Sequence, residues 1–253
     1  MAKPWTTLEQ VATDEGVLEL RQRDRDDFLI VIDGRVLMSS RAHRSEIEVA
    51  TLALARCGTV PNPRVLIGGL GMAYTLRAAL DRLPQDATVV VAELNEAVVR
   101  WCEGPLAPLT GCAVADPRVR VELADVADLI KKTERTRRWT AIILDLYEGP
   151  HAALGQRNDP IYGAGALGAT RHALDEGGVF SVWSEERDAP FERRLTRAGF
   201  QFDYLRSGKG GRRHPVYIAT TTEQRAARDA SGRSPLRKPP QTKRKGAGRR
   251  GKS

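Results

Sequence analysis

Hydrophobic and polar residues alternate in two different ways along the chain. Near the start, short runs of period two predict strands at residues 17–20, 28–32 and 36–39, with a tight hairpin turn at Asp33-Gly34. From His43 onward, short apolar runs alternate with segments of helical period. This second pattern is typical of a parallel sheet with helices on both faces.

The second part begins with a predicted helix at residues 43–56. The strands expected after it lie at residues 65–67, 88–92, 119–122, 141–144, 179–183, 201–206 and 216–220, with helices near 74–82, 96–102, 126–131, 164–174 and 191–197. A turn rich in Gly, Lys and Arg separates the last two strands, which predicts an antiparallel hairpin at one end of the sheet. An α/β fold with seven strands and an antiparallel last strand is typical of class I methyltransferases, which are Rossmann-like.

Composition divides the chain into three predicted parts: a short β region at residues 1–42, a Rossmann-like domain at 43–222 and a tail at 223–253. The tail holds 11 Lys/Arg and 2 Asp/Glu. The rest of the chain therefore holds 29 Lys/Arg and 30 Asp/Glu and is nearly neutral. The tail has almost no large apolar residue, which predicts disorder. It could contact nucleic acid weakly through its charge, and a solvated extension is the alternative.

The three cysteines indicate the compartment. Cys57, Cys102 and Cys112 form no C-x-x-C pair, so we expect reduced thiols in a cytoplasmic protein and no metal site. The sequence contains no basic-then-apolar signal segment and no apolar run of 18 residues, so neither secretion nor membrane spanning is expected.

Glycines and an acid at the ends of the first two strands of the predicted sheet indicate a nucleoside site. Gly69 and Gly71 follow the first strand, where they would let a ligand approach the backbone at the start of a helix. Glu93 ends the next strand, 22 positions after Gly71. A carboxylate at that place can accept hydrogen bonds from both ribose hydroxyls.

Acids also follow two later strands. Asp125 can accept from an adenine amino group while Val126 covers the ring, although an Asp at this place is equally typical of a helix cap. Asp145, Tyr147 and Glu148 follow a very apolar strand and should face the same edge of the sheet. Burial beside a second carboxylate would raise the pKa of one acid and create a proton acceptor near neutrality.

With these residues in place, the chain resembles the spermidine and spermine synthases, the polyamine aminopropyltransferases. The resemblance covers residues 28–220 and is clearest over 62–150. It implies transfer of an aminopropyl group from decarboxylated S-adenosylmethionine to an amine acceptor, without a metal, by a homodimer. Gly69 and Gly71 match the family's glycine motif, Glu93 its ribose-binding acid and Asp125 its adenine-binding acid.

The resemblance also implies the residues of the acceptor side. Asp145 matches the catalytic base, Glu148 the second acid of the same motif, and Tyr162 an aromatic residue of the family. The substrate-binding residues expected around them are Glu46, Glu48, Tyr147 and Tyr162.

The family's motif residues that bind the amine groups of the substrates are altered at four positions. Met72 replaces the Asp that holds the aminopropyl ammonium, Leu37 replaces a Gln, and Glu46-Ile47-Glu48 keeps only the last acid of a Tyr-His/Gln-Glu triplet. Since burying an unpaired cation costs on the order of several kcal/mol, these changes argue against ordinary putrescine chemistry.

Two other functions fit the sequence. One is methyl transfer from intact S-adenosylmethionine, whose carboxylate the glycine-loop amides or Arg77 could meet. The other is a relative without catalytic activity that binds nucleic acid through the basic tail.

Overall fold

The structure is a computed structural model that describes residues 3–147, 149–150, 159–206 and 214–221. Two features expected from the sequence, the catalytic-side acid Glu148 and the basic tail at 223–253, lie outside the described residues. The described residues form two sheets and seven α-helices.

The first sheet is antiparallel and comes entirely from the first 39 residues. Its strands pair in chain order: β1 (Thr6–Thr13), β2 (Gly16–Asp24), β3 (Asp27–Ile32) and β4 (Arg35–Ser39). The sequence pattern misses β1, because that strand lies at the edge of the sheet and its mostly exposed residues are largely Thr, Glu and Gln. The region is therefore a four-stranded sheet, which we call the small sheet, where the sequence predicts three strands and one hairpin.

The second sheet has seven strands, as predicted, and we call it the large sheet. Its strands are β5 (Arg64–Gly68), β6 (Thr88–Glu93), β7 (Val119–Leu123), β8 (Trp139–Leu144), β9 (Leu174–Trp183), β10 (Phe200–Leu205) and β11 (Val216–Thr221). Their spatial order is β10-β11-β9-β8-β5-β6-β7, with β11 antiparallel to both of its neighbours. The chain order reverses between β5 and β8, where open α/β sheets bind their ligands.

The helices cover both faces of the large sheet. They are α1 (Arg44–Cys57), α2 (Tyr74–Leu80), α3 (Glu96–Glu103), α4 (Val126–Lys131), α5 (Asp159–Tyr162), α6 (Ala164–Ala173) and α7 (Ala189–Arg197). None of these described helices is long and apolar enough to cross a bilayer.

Alternate residues of the buried strands divide the core between the two faces. Val65 and Ile67 of β5 pack on one face with residues of α1, α2 and α3, and Leu66 packs on the other with residues of α4, α6 and α7. The cluster on the first face also contains Leu18 and Phe28 of the small sheet. Apolar packing therefore fixes the small sheet against this face of the large sheet. From there the small sheet reaches the carboxyl ends of the strands of the large sheet.

Candidate active site

A cavity of about 370 Å³ lies between the carboxyl ends of β5, β6 and β8 and the small sheet. The small sheet supplies an apolar wall, and the large sheet and α1 supply most of the acids. Among the described residues, five carboxylates line the cavity: Glu15, Glu46, Glu93, Asp125 and Asp145.

The two glycines after β5 have positive φ angles and close neighbours, and at Gly69 the neighbour is backbone. Gly69 has φ = 89°, and a Cβ there would lie 2.5 Å from the Asp145 carbonyl oxygen. Gly71 has φ = 52°, and a Cβ there would lie 2.8 Å from the sulfur of Met38. Both residues also line the cavity. Glycine therefore lets the loop after β5 approach both the end of β8 and the small sheet around the same space.

Glu93 ends β6 and is held by the backbone around it. One carboxylate oxygen accepts a hydrogen bond from the Leu70 amide at 2.9 Å, and the other accepts from the Asn95 amide at 2.8 Å. Burial raises the pKa of Glu93, against the effect of the amide hydrogen bonds. Each oxygen retains a further lone pair, so a fixed carboxylate can still accept two ligand hydroxyls.

Asp125 combines the two roles that the sequence left open. Its Oδ1 accepts from the Ala127 amide at 2.8 Å and caps α4, while the residue also lines the cavity. Val126 follows it, is 4% exposed and lines the same space. The pair forms one end of the cavity beside Glu93, with a carboxylate and an apolar surface next to each other.

Asp145 follows β8 at the other end of the cavity, close to Glu46 of α1. Burial, and then the charge of Glu46, raise the pKa of Asp145 to about 7. Burial also raises the pKa of Glu46, whose carboxylate accepts a hydrogen bond from the Ser45 hydroxyl at 2.6 Å. Two acids that hinder each other's ionisation in this way can hold and release a proton near neutral pH.

Thr75 of α2 contacts this pair and was not singled out by sequence reasoning. Its hydroxyl is hydrogen-bonded to Asp145 Oδ2 and lies 3.1 Å from the carbonyl oxygen of Glu46. Since a hydroxyl has one proton, Thr75 can donate to an ionised Asp145, or accept from a protonated Asp145 while it donates to the carbonyl. Both protonation states of Asp145 therefore have a hydrogen-bond partner.

Glu15 is a second residue that sequence reasoning missed. It lies in the turn between β1 and β2, lines the cavity, and accepts a hydrogen bond from the Tyr147 hydroxyl at 3.2 Å. An acid in a surface turn carries no local signal of a ligand site. Its role depends on the small sheet folding over the strand ends of the large sheet.

The remaining residues of the predicted acceptor side are placed differently. Tyr147 and Tyr162 line the cavity, and Tyr162 is almost fully buried, with its ring edge-on to Phe191 at 5.6 Å between centroids. Glu48 is half-buried and points away from Glu46, because residues two apart on a helix face nearly opposite directions. The structure therefore brings Glu46, and not Glu48, to the cavity.

Two of the altered positions of the family pattern, Leu37 and Met72, are apolar in the structure. Leu37 lines the cavity, while the side chain of Met72 is fully buried in the core. Among the described residues that line the cavity, none is Lys, Arg or His. The cavity therefore favours a cationic ligand. The described residues contain no cluster of His, Cys, Asp and Glu arranged to hold a metal ion.

Comparisons with known proteins agree with the resemblance seen in the sequence. A polyamine aminopropyltransferase of Clostridium tetani (strain Massachusetts / E88) is 29% identical over 128 residues, which are 50% of this chain and 43% of that protein. The chain thus matches less than half the length of this relative. No protein-family model matches the sequence.

Solved structures share the fold over most of the chain. Spermidine synthase from Thermotoga maritima superposes with a TM-score of 0.66 at 20% identity, over 84% of this chain and 72% of that one. A spermidine synthase in complex with the transition state analogue AdoDATO superposes with a TM-score of 0.65 at 19% identity, over 84% and 71% of the two chains. The methyltransferase-like fold and the predicted resemblance to the spermidine and spermine synthase family are therefore confirmed.

Proposed function

We propose that the protein transfers an aminopropyl group from decarboxylated S-adenosylmethionine to an amine. The observation that carries this proposal is the charge of the cavity: its described lining residues include five carboxylates and no basic residue. The donor carries a sulfonium and an ammonium, and the acceptor is itself an amine. A cavity of this charge suits all three groups.

The two ends of the cavity suggest how the donor lies. Glu93, held by the amides of Leu70 and Asn95, would accept the ribose hydroxyls, and Asp125 with Val126 would receive the adenine. The sulfonium would then point toward Asp145. A spermidine synthase with a bound transition state analogue has this fold, which supports a donor across the same strand ends.

Asp145 is suited to act as the base. An amine must lose its proton before its lone pair can form the new bond to the carbon next to the sulfonium. As the carbon–nitrogen bond forms, the carbon–sulfur bond breaks, its electron pair returns to sulfur, and methylthioadenosine leaves. A pKa raised to about 7 lets Asp145 accept the proton near neutral pH. Holding both reactants in one cavity would supply much of the rate.

Methyl transfer from intact S-adenosylmethionine has less support. That donor carries an additional carboxylate, which would enter a cavity already lined by acids. Arg77, the candidate partner in the sequence, forms an ion pair with Asp81 at 2.7 Å. The cavity therefore favours the decarboxylated donor over the intact one.

The direct test is mass spectrometry of the products after incubation with each donor and a panel of monoamines, diamines and polyamines. We expect methylthioadenosine and an acceptor heavier by one aminopropyl group. A methylated product with S-adenosylhomocysteine would contradict the proposal. So would the absence of any product while methylthioadenosine binds, which would indicate a relative that retains binding without catalysis.

A further inference from the structure

Glu15 is the acid of the cavity that comes from the small sheet. It lies in the β1–β2 turn, and its neighbours place it between the two ends of the cavity. On one side it accepts the hydrogen bond from Tyr147, two residues after Asp145. On the other side its charge is close enough to add to the effect of burial in raising the pKa of Glu93. The turn thus holds a carboxylate near both Tyr147 and Glu93.

The other four acids already have tasks that suit other groups. Glu93 and Asp125 are fixed by backbone amides at the nucleoside end. Asp145 and Glu46 form the pair that holds a proton where the acceptor amine must react. The donor's ammonium ends the aminopropyl chain beyond the reacting carbon, so in the proposed pose it needs a partner of its own. A carboxylate within reach would pair with this cation, and Glu15 is an exposed acid that lines the cavity.

We propose that Glu15 binds the terminal ammonium of the donor's aminopropyl group. This inference rests on the proposed function, because it concerns the same donor. A carboxylate has about four acceptor positions, so Glu15 can receive an ammonium while it keeps the hydrogen bond from Tyr147. The cation would also relieve the repulsion between Glu15 and Glu93. The small sheet would then select the donor by its charged end, and the large sheet by its nucleoside.

The test compares two compounds that differ in the group concerned. Decarboxylated S-adenosylmethionine carries the ammonium, and methylthioadenosine shares the nucleoside and sulfur but lacks it. Their dissociation constants are measured by calorimetry for the full-length wild type and for Glu15→Gln. We expect Glu15→Gln to bind the donor about 10- to 100-fold more weakly, as for the loss of one charge-assisted hydrogen bond, and to bind methylthioadenosine as the wild type does.

Asp14→Asn is the matched control, since it removes the same charge from the neighbouring exposed position of the turn. We expect it to bind both compounds as the wild type does. A steady-state comparison with the acceptor varied adds a second readout. Glu15→Gln should raise the KM for the donor and leave the KM for the acceptor unchanged.

The contrary outcomes are distinct. If Glu15→Gln weakens the binding of both compounds equally, or of neither, Glu15 does not bind the ammonium. A rise in the KM for the acceptor alone would assign Glu15 to the acceptor and overturn the inference. If the wild type binds neither compound, the proposed function is wrong and the inference falls with it. If the wild type binds both compounds and Glu15→Gln binds them with the same affinities, the inference is wrong but the proposed function stands.

Discussion

The two ends of the cavity hold their acids by different means. At the proposed nucleoside end, Glu93 accepts hydrogen bonds from the amides of Leu70 and Asn95, and Asp125 accepts one from the amide of Ala127. At the acceptor end, Glu46 and Asp145 contact the hydroxyls of Ser45 and Thr75, and three separate elements bring these groups together. The first arrangement follows from the loops after three neighbouring strands, β5, β6 and β7. The second depends on how α1 and α2 pack against β8.

This difference also separates the electrostatics. Burial raises the pKa of Glu93, but the backbone amides oppose this rise by stabilising the ionised form, which would suit an acceptor of ribose hydroxyls. Asp145 has a like charge as its neighbour and a hydroxyl as its hydrogen-bond partner, so its proton is exchangeable near neutrality. Variants at the two ends should therefore fail in different ways, by loss of affinity at one and loss of rate at the other.

The largest expected effect is at the acceptor end. Asp145→Asn removes the base, and we expect kcat to fall about 10²- to 10⁴-fold, the usual contribution of a general base. The variant should bind methylthioadenosine as the wild type does, because the nucleoside end is intact. Single-turnover kinetics and calorimetry measure the two quantities. A kcat within a factor of two of the wild type would show that another group takes the proton.

The matching variant at the nucleoside end is Glu93→Gln. A Gln side chain cannot accept from both amides and both ribose hydroxyls, since one of its two atoms is a donor. We expect methylthioadenosine to bind about 100-fold more weakly, which is the loss of one or two hydrogen bonds to a charged group. The KM for the acceptor should change little. Unchanged affinity in calorimetry would exclude Glu93 as the ribose acceptor.

The pH profile sharpens the contrast at the acceptor end. The ionised form of Asp145 is the active one, so kcat/KM should rise with pH through a pKa of about 7. Glu46→Gln removes the neighbouring negative charge, which lowers the pKa of Asp145 and moves the acid limb to lower pH. Thr75→Val removes a hydrogen bond that favours the ionised form, so the limb moves to higher pH.

Thr75→Ser is the control for this pair, since it keeps the hydroxyl and should keep the wild-type limb. If both Glu46→Gln and Thr75→Val moved the limb in the same direction, the limb would not report Asp145. A limb that neither variant moves would lead to the same conclusion.

The smallest expected effect is at Asp125. Asp125→Ala removes the cap of α4, which should lower the free energy of unfolding by about 1 kcal/mol and Tm by about 2–4 °C. The substitution should also weaken the binding of methylthioadenosine. Asp188→Ala is the control, because Asp188 caps α7 in the same way, at 2.8 Å from the Phe191 amide, but does not line the cavity. Equal ligand affinity in the two variants would leave Asp125 with a structural role alone.

The positions of the residues around Glu93 can be predicted from the sequence because the signals are local. Strand ends followed by glycines or acids meet at one edge of a parallel sheet, so Gly69, Glu93 and Asp125 can be placed by counting along the chain. Asp145 is found in the same way. The large sheet, including its antiparallel last strand, follows from the alternation of strands and helices.

The acceptor end is less predictable because its contacts are between distant elements. Nothing in the sequence near Thr75 or Glu15 indicates a carboxylate partner or a cavity, and both roles arise from packing. Glu46 and Glu48 look alike in the sequence, and the rotation of α1 decides which of them faces the cavity. Edge strand β1 escapes pattern analysis because few of its side chains are buried.

The apolar packing of Leu18 and Phe28 with the core beneath the large sheet has a practical consequence for protein engineering. Exchanging the first 39 residues for those of a relative would change the interior of the molecule as well as its specificity. A chimera built to alter donor choice would therefore need compensating changes in α1 and β5. Moving the β1–β2 turn alone would keep that interior intact.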